Sequence, residues 1–160
     1  GRLFDAVASL IGLRHSVSFE GQAAMMLEAA ADAWSGRALE PYDFAVSGAS
    51  PADLDLRPMI RQIVDEVQHG ETQQAIAARF HVTMVAVIVE VCRQMRSALQ
   101  LDRVCLSGGC FQNALLLEGC LRALREQGFA VFFPRIVPAN DGGISLGQAA
   151  IACELLRQRP

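Results

Sequence analysis

The sequence predicts an α/β fold, a sheet flanked by helices and rich in helix. Three observations predict it. Apolar runs at 103–107 and 129–133 each lead into a loop and then a helical pattern, the alternation of a sheet covered by helices. Several longer segments repeat apolar residues at helical spacing. The chain has 160 residues, 52% of them apolar, enough for one domain with a core.

The elements follow in order. Leu3, Val7, Leu10 and Ile11 recur at helical spacing until Gly12. After a loop at Arg14 to Val17, Ser18 is positioned to cap a second helix, continued by Met25, Leu27 and Ala31. Tyr42 to Val46, set between Pro41 and Ser47-Gly48, reads as a strand. Leu54-Asp55-Leu56 reads either as a strand or as the lead-in to a helix. Arg57 to His69 is amphipathic and stops at Gly70. Glu71 to Leu99 is one long helical region whose Val85 to Val89 centre is apolar nearly all round and therefore expected to be buried. A strand over Arg103 to Ser107, a helix over Phe111 to Glu126, a strand over Phe129 to Phe133 and a helix over Gly142 to Arg157 complete the chain.

Composition narrows the function classes. The net charge is -3 and lysine is absent, which argues against a dedicated nucleic-acid binder. The apolar stretch Val82 to Val91 is broken by Thr83 and Glu90 and is too short to span a bilayer; no membrane role and no signal peptide are expected. Cys92, Cys105, Cys110, Cys120 and Cys153 lack paired spacing; most lie in apolar runs, as buried small hydrophobes of a reducing, cytoplasmic compartment do. Charged residues are only 19%. That low share reflects either apolar surface meant for a further segment or partner, or simply an alanine-rich sequence. The chain starts inside a helical pattern without Met, so a piece of a longer protein is expected.

Two loops carry the chemistry. In Ser107-Gly108-Gly109-Cys110-Phe111-Gln112-Asn113 an apolar strand runs into two glycines and a helix. Glycines admit a close ligand, and a helix N-terminus offers N–H groups to an anion. Asn113 stands where its amide reaches a ribose or base. A ligand-free tight turn is the alternative, and the loop matches neither the P-loop nor the GxGxxG fingerprint. In Asn140-Asp141-Gly142-Gly143, Asp141 either caps the following helix or ligates a divalent ion. Both loops follow strands, so both should emerge on one edge of a parallel sheet, where ligands bind.

Other candidates are weaker. Asp5 is either a solvent-facing acid or a carboxylate for ribose hydroxyls. Glu20-Gly21 is either a first-turn acid complementing the helix dipole or a close backbone approach to nucleotide at Gly21. His15 sits in a loop, His69 at a helix end, and His81 inside the long helix as a packed or hydrogen-bonded histidine. No two have metal-ligand spacing, and no complete metal site or catalytic triad is assembled.

These motifs, with Gly1-Arg2-Leu3-Phe4-Asp5-Ala6-Val7-Ala8, Ser18-Phe19-Glu20-Gly21-Gln22-Ala23-Ala24 and Val137 to Ala149, resemble the C-terminal end of the HypF family, the carbamoyltransferases of [NiFe]-hydrogenase maturation. The resemblance covers essentially the whole chain. It implies a single partial domain over 1–160, the C-terminal part of a TsaD-like transfer domain of the ASKHA (actin/Hsp70/sugar-kinase) fold. It assigns Asp5 and Gly21 to ribose, Gly108, Gly109 and Asn113 to the nucleotide, and Asp141 to the metal. It implies ATP or carbamoyl-adenylate as the nucleotide, and iron, zinc or magnesium with histidine ligands outside this chain. Its partners would be the remainder of the HypF-like chain and a HypE-like acceptor whose C-terminal cysteine takes the carbamoyl group. Met25 stands near where TsaD-like enzymes carry an acid. The alternatives are a non-catalytic nucleotide-binding module from a truncated paralogue, a tRNA threonylcarbamoyl transferase lobe, and a sugar-kinase or Hsp70-like ATPase lobe.

Overall fold

The computed structural model describes residues 2–48 and 52–158; Gly1, at the head of the first motif, lies outside them. Helix α1 (Arg2–Leu10) ends as expected at Gly12, whose φ of +75° turns the chain. Helix α2 (Gln22–Asp32) begins later than the Ser18 cap predicts. The Ser18 backbone N–H donates to Gln22 Oε1 at 2.8 Å, and Gly21, at φ +81°, makes the turn into the helix. A left-handed residue cannot lie within a right-handed helix, so helix cannot begin until Gly21 is passed.

Strands β1 (Ala45–Val46) and β2 (Leu54–Asp55) pair antiparallel. The strand expected over 42–46 is shorter because its leading donors are used elsewhere. The Tyr42 N–H donates to Thr83 Oγ1 and the Asp43 N–H to Gln62 Oε1, each at 2.8 Å. Tyr42 is buried, with the Arg79 guanidinium 4.1 Å from its ring centroid and its hydroxyl donating to Glu66. Glu66 in turn pairs with Arg79 at 2.5 Å. Burial, then the Glu66 hydrogen bond, push the Tyr42 phenol well above its usual range.

Helix α3 (Arg57–Gln68) carries proline in its first turn and stops before Gly70. Helix α4 (Gln73–Leu99) is capped by Thr72, whose hydroxyl accepts from the Ala75 N–H at 3.2 Å. It packs between α2 and α5 (Ala114–Glu126). By length and composition α4 could cross a bilayer; here Ile76, Ala77, Phe80, Thr83 and Val87 are buried along it, so it serves as the core helix. Phe80 meets Phe4 edge-on at 5.0 Å, and Leu27, Ile63 and Leu124 extend the same core. Of the apolar 85–89 centre, Val87 is buried and its neighbours are half-buried.

Strands β3 (Arg103–Cys105) and β4 (Ala130–Phe132) pair in parallel, Arg103 opposite Ala130 and Cys105 opposite Phe132. The expected strand–helix–strand–loop–helix order is present, with α6 (Ile144–Arg157) last. Each glycine loop contributes a 3-10 turn, Gly109–Gln112 and Asp141–Gly143, ahead of its helix. Helix α6 therefore begins two residues after Gly142.

The cysteines depart from expectation. Cys120 is buried, with burial pushing its thiol up to about 12, and Cys92 is half-buried. Cys105, Cys110 and Cys153 are exposed, because β3 belongs to a two-stranded sheet and no buried residue lies along α6. The same uncovered region exposes Phe132, Ile136, Ile144, Leu146, Ile151 and Leu155. The low charged fraction is thus accompanied by several exposed large apolar side chains in this part of the chain.

At the α4–α5 contact a side chain on Gly119 would come within 2.7 Å of Val85 Cγ2. Gly119→Val should therefore force the helices apart and destabilise the fold by about 1–3 kcal/mol, read as a lower urea midpoint at unchanged slope.

Candidate nucleotide site

The parallel pairing of β3 and β4 delivers both glycine loops to one sheet edge, as expected. It also joins them. The Leu106 N–H donates to Phe132 O at 2.8 Å, extending the ladder past Cys105. Two residues on, the Gly108 N–H donates to Ala139 O at 2.8 Å. Gly108 has φ +102° and ψ 161°, a conformation almost confined to glycine. Gly109 needs no positive φ, and a side chain on either glycine would meet nothing within 4 Å. The loop is open, and its shape depends on Gly108. Between the loops lies a cavity of about 190 Å³, lined by Leu106, Phe111, Phe133, Val137 and Ala139 among others. A larger hollow, about 580 Å³ beside Trp34, Arg37 and Arg79, lies at the end of α2, away from both loops.

The N-terminus of α5 is already occupied. The Ala114 N–H donates to Glu28 Oε1 at 2.6 Å and the Leu116 N–H to Asn113 Oδ1 at 2.8 Å. The Asn113 N–H donates to Cys110 O. The helix N-terminus expected to be open to an anion is thus partly taken up, by a carboxylate and a cap, while the glycine loop beside it is exposed. Asn113 is the cap of α5 and lies ahead of the helix. Its Nδ2 stands 3.0 Å from His81 Nε2. One Nδ2 proton and one Oδ1 lone pair remain for a ligand.

His81 is the packed, hydrogen-bonded histidine the sequence suggests. It is buried, its Nδ1 lies 2.8 Å from Ala77 O, and the Phe4 and Phe80 rings meet it edge-on. Burial holds its pKa below the usual value, partly offset by the Ala77 carbonyl and the Glu28 carboxylate. Glu28 was not singled out from the sequence. Its signal is that it is the only acid between Gln22 and Ala31, in an otherwise apolar helix.

The remaining candidates lie around this cluster. Asp5 is exposed, next in the chain to Phe4, which touches His81. Gly21 opens α2, whose Glu28 reaches α5. Asp141 is exposed and caps no helix: Asn140 caps the 3-10 turn, its Oδ1 accepting from the Gly142 N–H at 3.1 Å, and Gly143 heads α6 without a side-chain cap. Asp141 stands two residues after Ala139, where the loops meet. Among the described residues no three His, Cys, Asp or Glu side chains converge as a metal site. A carboxylate suits a divalent cation, but Asp141 supplies one ligand only.

Residues 1–148 match the family described as carbamoyltransferase, Kae1-like domain, second subdomain. The chain belongs to the HypF carbamoyltransferase family. It is 40% identical over 149 residues to carbamoyltransferase HypF of Synechocystis, covering 92% of this chain and 18% of that protein. It is 41% identical to the HypF of Rhizobium leguminosarum, covering 98% and 20%. The chain therefore spans about a fifth of the length of these relatives. A crystal structure of full-length HypF in its phosphate- and nucleotide-bound form superposes with a TM-score of 0.90 at 41% identity, over 98% of this chain and 20% of that one. HypF of T. kodakarensis, at 24% identity and a TM-score of 0.82, shares the fold. The α/β portion of the larger domain is thus the fold observed.

Two predictions follow from this geometry. Gly108→Ala should cost about 1–3 kcal/mol from backbone strain, whereas Gly109→Ala should leave the denaturation midpoint nearly unchanged. His81 binds a proton less readily folded than unfolded, so its contribution is intact above about pH 6.5 and is lost as pH falls below it. Denaturation midpoints at pH 7.5 and pH 5 should differ, and less so in His81→Phe.

Proposed function

We propose that this chain is the nucleotide-holding part of a HypF-type carbamoyltransferase. In that reaction carbamoyl passes from carbamoyl-adenylate, made from carbamoyl phosphate and ATP, to the C-terminal cysteine of a HypE-like acceptor for cyanide-ligand synthesis in hydrogenase maturation. The observation that carries the reading is the Gly108 N–H bond to Ala139 O, which ties the two motif loops of the family into one wall. A nucleotide-bound relative with the same fold supports it.

In this reading Gly108 and Gly109 bring backbone against the nucleotide and Asn113 adds its remaining amide proton. Asp5 and Gly21 take the ribose. Asp141 gives one oxygen to an iron, zinc or magnesium ion whose histidines belong to the remainder of the protein. Bound there, such an ion polarises the carbamoyl carbonyl; the loops supply orientation. The residues at 1–160 are then a partial domain, the later part of the TsaD-like transfer domain, and α6 with its exposed Ile144, Ile151 and Leu155 packs on the remainder of the chain. The partly exposed thiols, none of them in a disulfide among the described residues, suit the cytoplasm.

The test uses the intact protein, a HypE-like acceptor, ATP and labelled carbamoyl phosphate. Label should reach the acceptor's terminal cysteine, and Asp141→Asn should lower the rate at least ~100-fold, the loss of roughly 3 kcal/mol of charge stabilisation. No transfer by the folded wild type would overturn the activity; an unimpaired Asp141→Asn would overturn the metal role alone.

A further inference from the structure

We propose that His81 is the positioning residue for Asn113: the hydrogen bond accepted by its Nε2 fixes which way the Asn113 amide faces, and so which atoms the loop presents to nucleotide. The inference rests on the nucleotide reading above.

The hydrogen-bond directions are forced in sequence. The Ala77 carbonyl can only accept, so His81 Nδ1, 2.8 Å away, carries the proton. A neutral imidazole with Nδ1 protonated has an acceptor at Nε2. The Asn113 atom 3.0 Å from Nε2 must then be the amide nitrogen. The amide oxygen consequently faces the Leu116 N–H, which it accepts at 2.8 Å. Rotating the amide by half a turn would set Oδ1 against the Nε2 lone pair and two N–H groups against each other. Both contacts would be lost at once, in a half-buried site where unpaired polar groups are costly.

The arrangement requires neutral His81. The groups around it are the Phe4 ring of α1, the Phe80 ring of its own helix, the Asn113 amide at the head of α5 and the Glu28 carboxylate of α2, the charged group that acts on it. Protonation at Nε2 would put two donors face to face and favour the turned amide. His81 reaches the ligand only through Asn113, so its effect should fall on nucleotide affinity and on the pH dependence of that affinity.

The experiment measures nucleotide affinity of the intact protein by calorimetry, from pH 6 to pH 8.5, with the melting temperature recorded for each variant. His81→Gln keeps an acceptor near the Nε2 position and should bind within about 3-fold of wild type. His81→Phe keeps the ring packing without the acceptor and should bind about 10-fold more weakly. Asn113→Asp keeps the cap but puts a carboxylate oxygen against Nε2, so it needs protonated His81; its affinity should fall as pH rises, while wild type changes little over that range. Equal affinity in His81→Phe and His81→Gln, or an Asn113→Asp profile parallel to wild type, overturns the positioning role while nucleotide binding stands. A folded wild type that binds no nucleotide overturns the underlying reading as well. Should His81→Phe fail to fold, the Asn113→Asp profile decides.

Discussion

The interior of this chain depends on a polar problem solved in its apolar core. Helix α4 is the core helix, and it carries a histidine where a phenylalanine would pack as well. A buried imidazole must have both ring nitrogens paired. One is satisfied within α4, at the Ala77 carbonyl. The other is satisfied only by a residue at the head of α5. The pairing therefore fixes how α5 begins, and α5 is what carries the chain from β3 to β4. The Phe4 and Phe80 edges and the Gly119–Val85 approach set the spacing; the His81–Asn113 bond sets the register.

Much of this was legible in the sequence, and the reasons differ by element. The long helices were clear because apolar residues repeat and glycines mark their ends: Gly12 and Gly70 end α1 and α3 in the left-handed conformation. The parallel pair was legible from alternation alone. What failed was competition for single hydrogen bonds. Tyr42 and Asp43 look like strand, but Thr83 and Gln62 take their N–H groups. Ser18 looks like a cap, but a positive φ at Gly21 delays the helix. Asp141 looks like a cap, but it falls inside a 3-10 turn capped by Asn140, three residues ahead of α6. In each case the losing residue has the right type, and only the fold shows which partner is within reach.

The site was legible as two loops on one sheet edge, but not as loops bonded to each other. Sequence spacing cannot show that Gly108 bonds to Ala139, because the residues between them pass through a helix and a strand. Nor does it bring Glu28 to Ala114 across an even longer separation. The cysteines illustrate the converse. Apolar neighbours in sequence suggested burial, yet Cys105 and Cys153 lie on faces that nothing in these residues covers. Burial depends on what packs against an element, and among the described residues nothing packs over those positions.

The occupied helix N-terminus decides how an anion could be held. A helix start normally draws phosphate through its unpaired N–H groups and dipole. Here Glu28 already sits at that position, bonded to the Ala114 N–H, and a phosphate beside it would face a carboxylate across a short distance. Like charges that close repel, though solvent screens them at an exposed contact such as this one. The start of α5 is therefore a poor seat for an anion. Glu28 thus stabilises the start of α5 with one carboxylate oxygen.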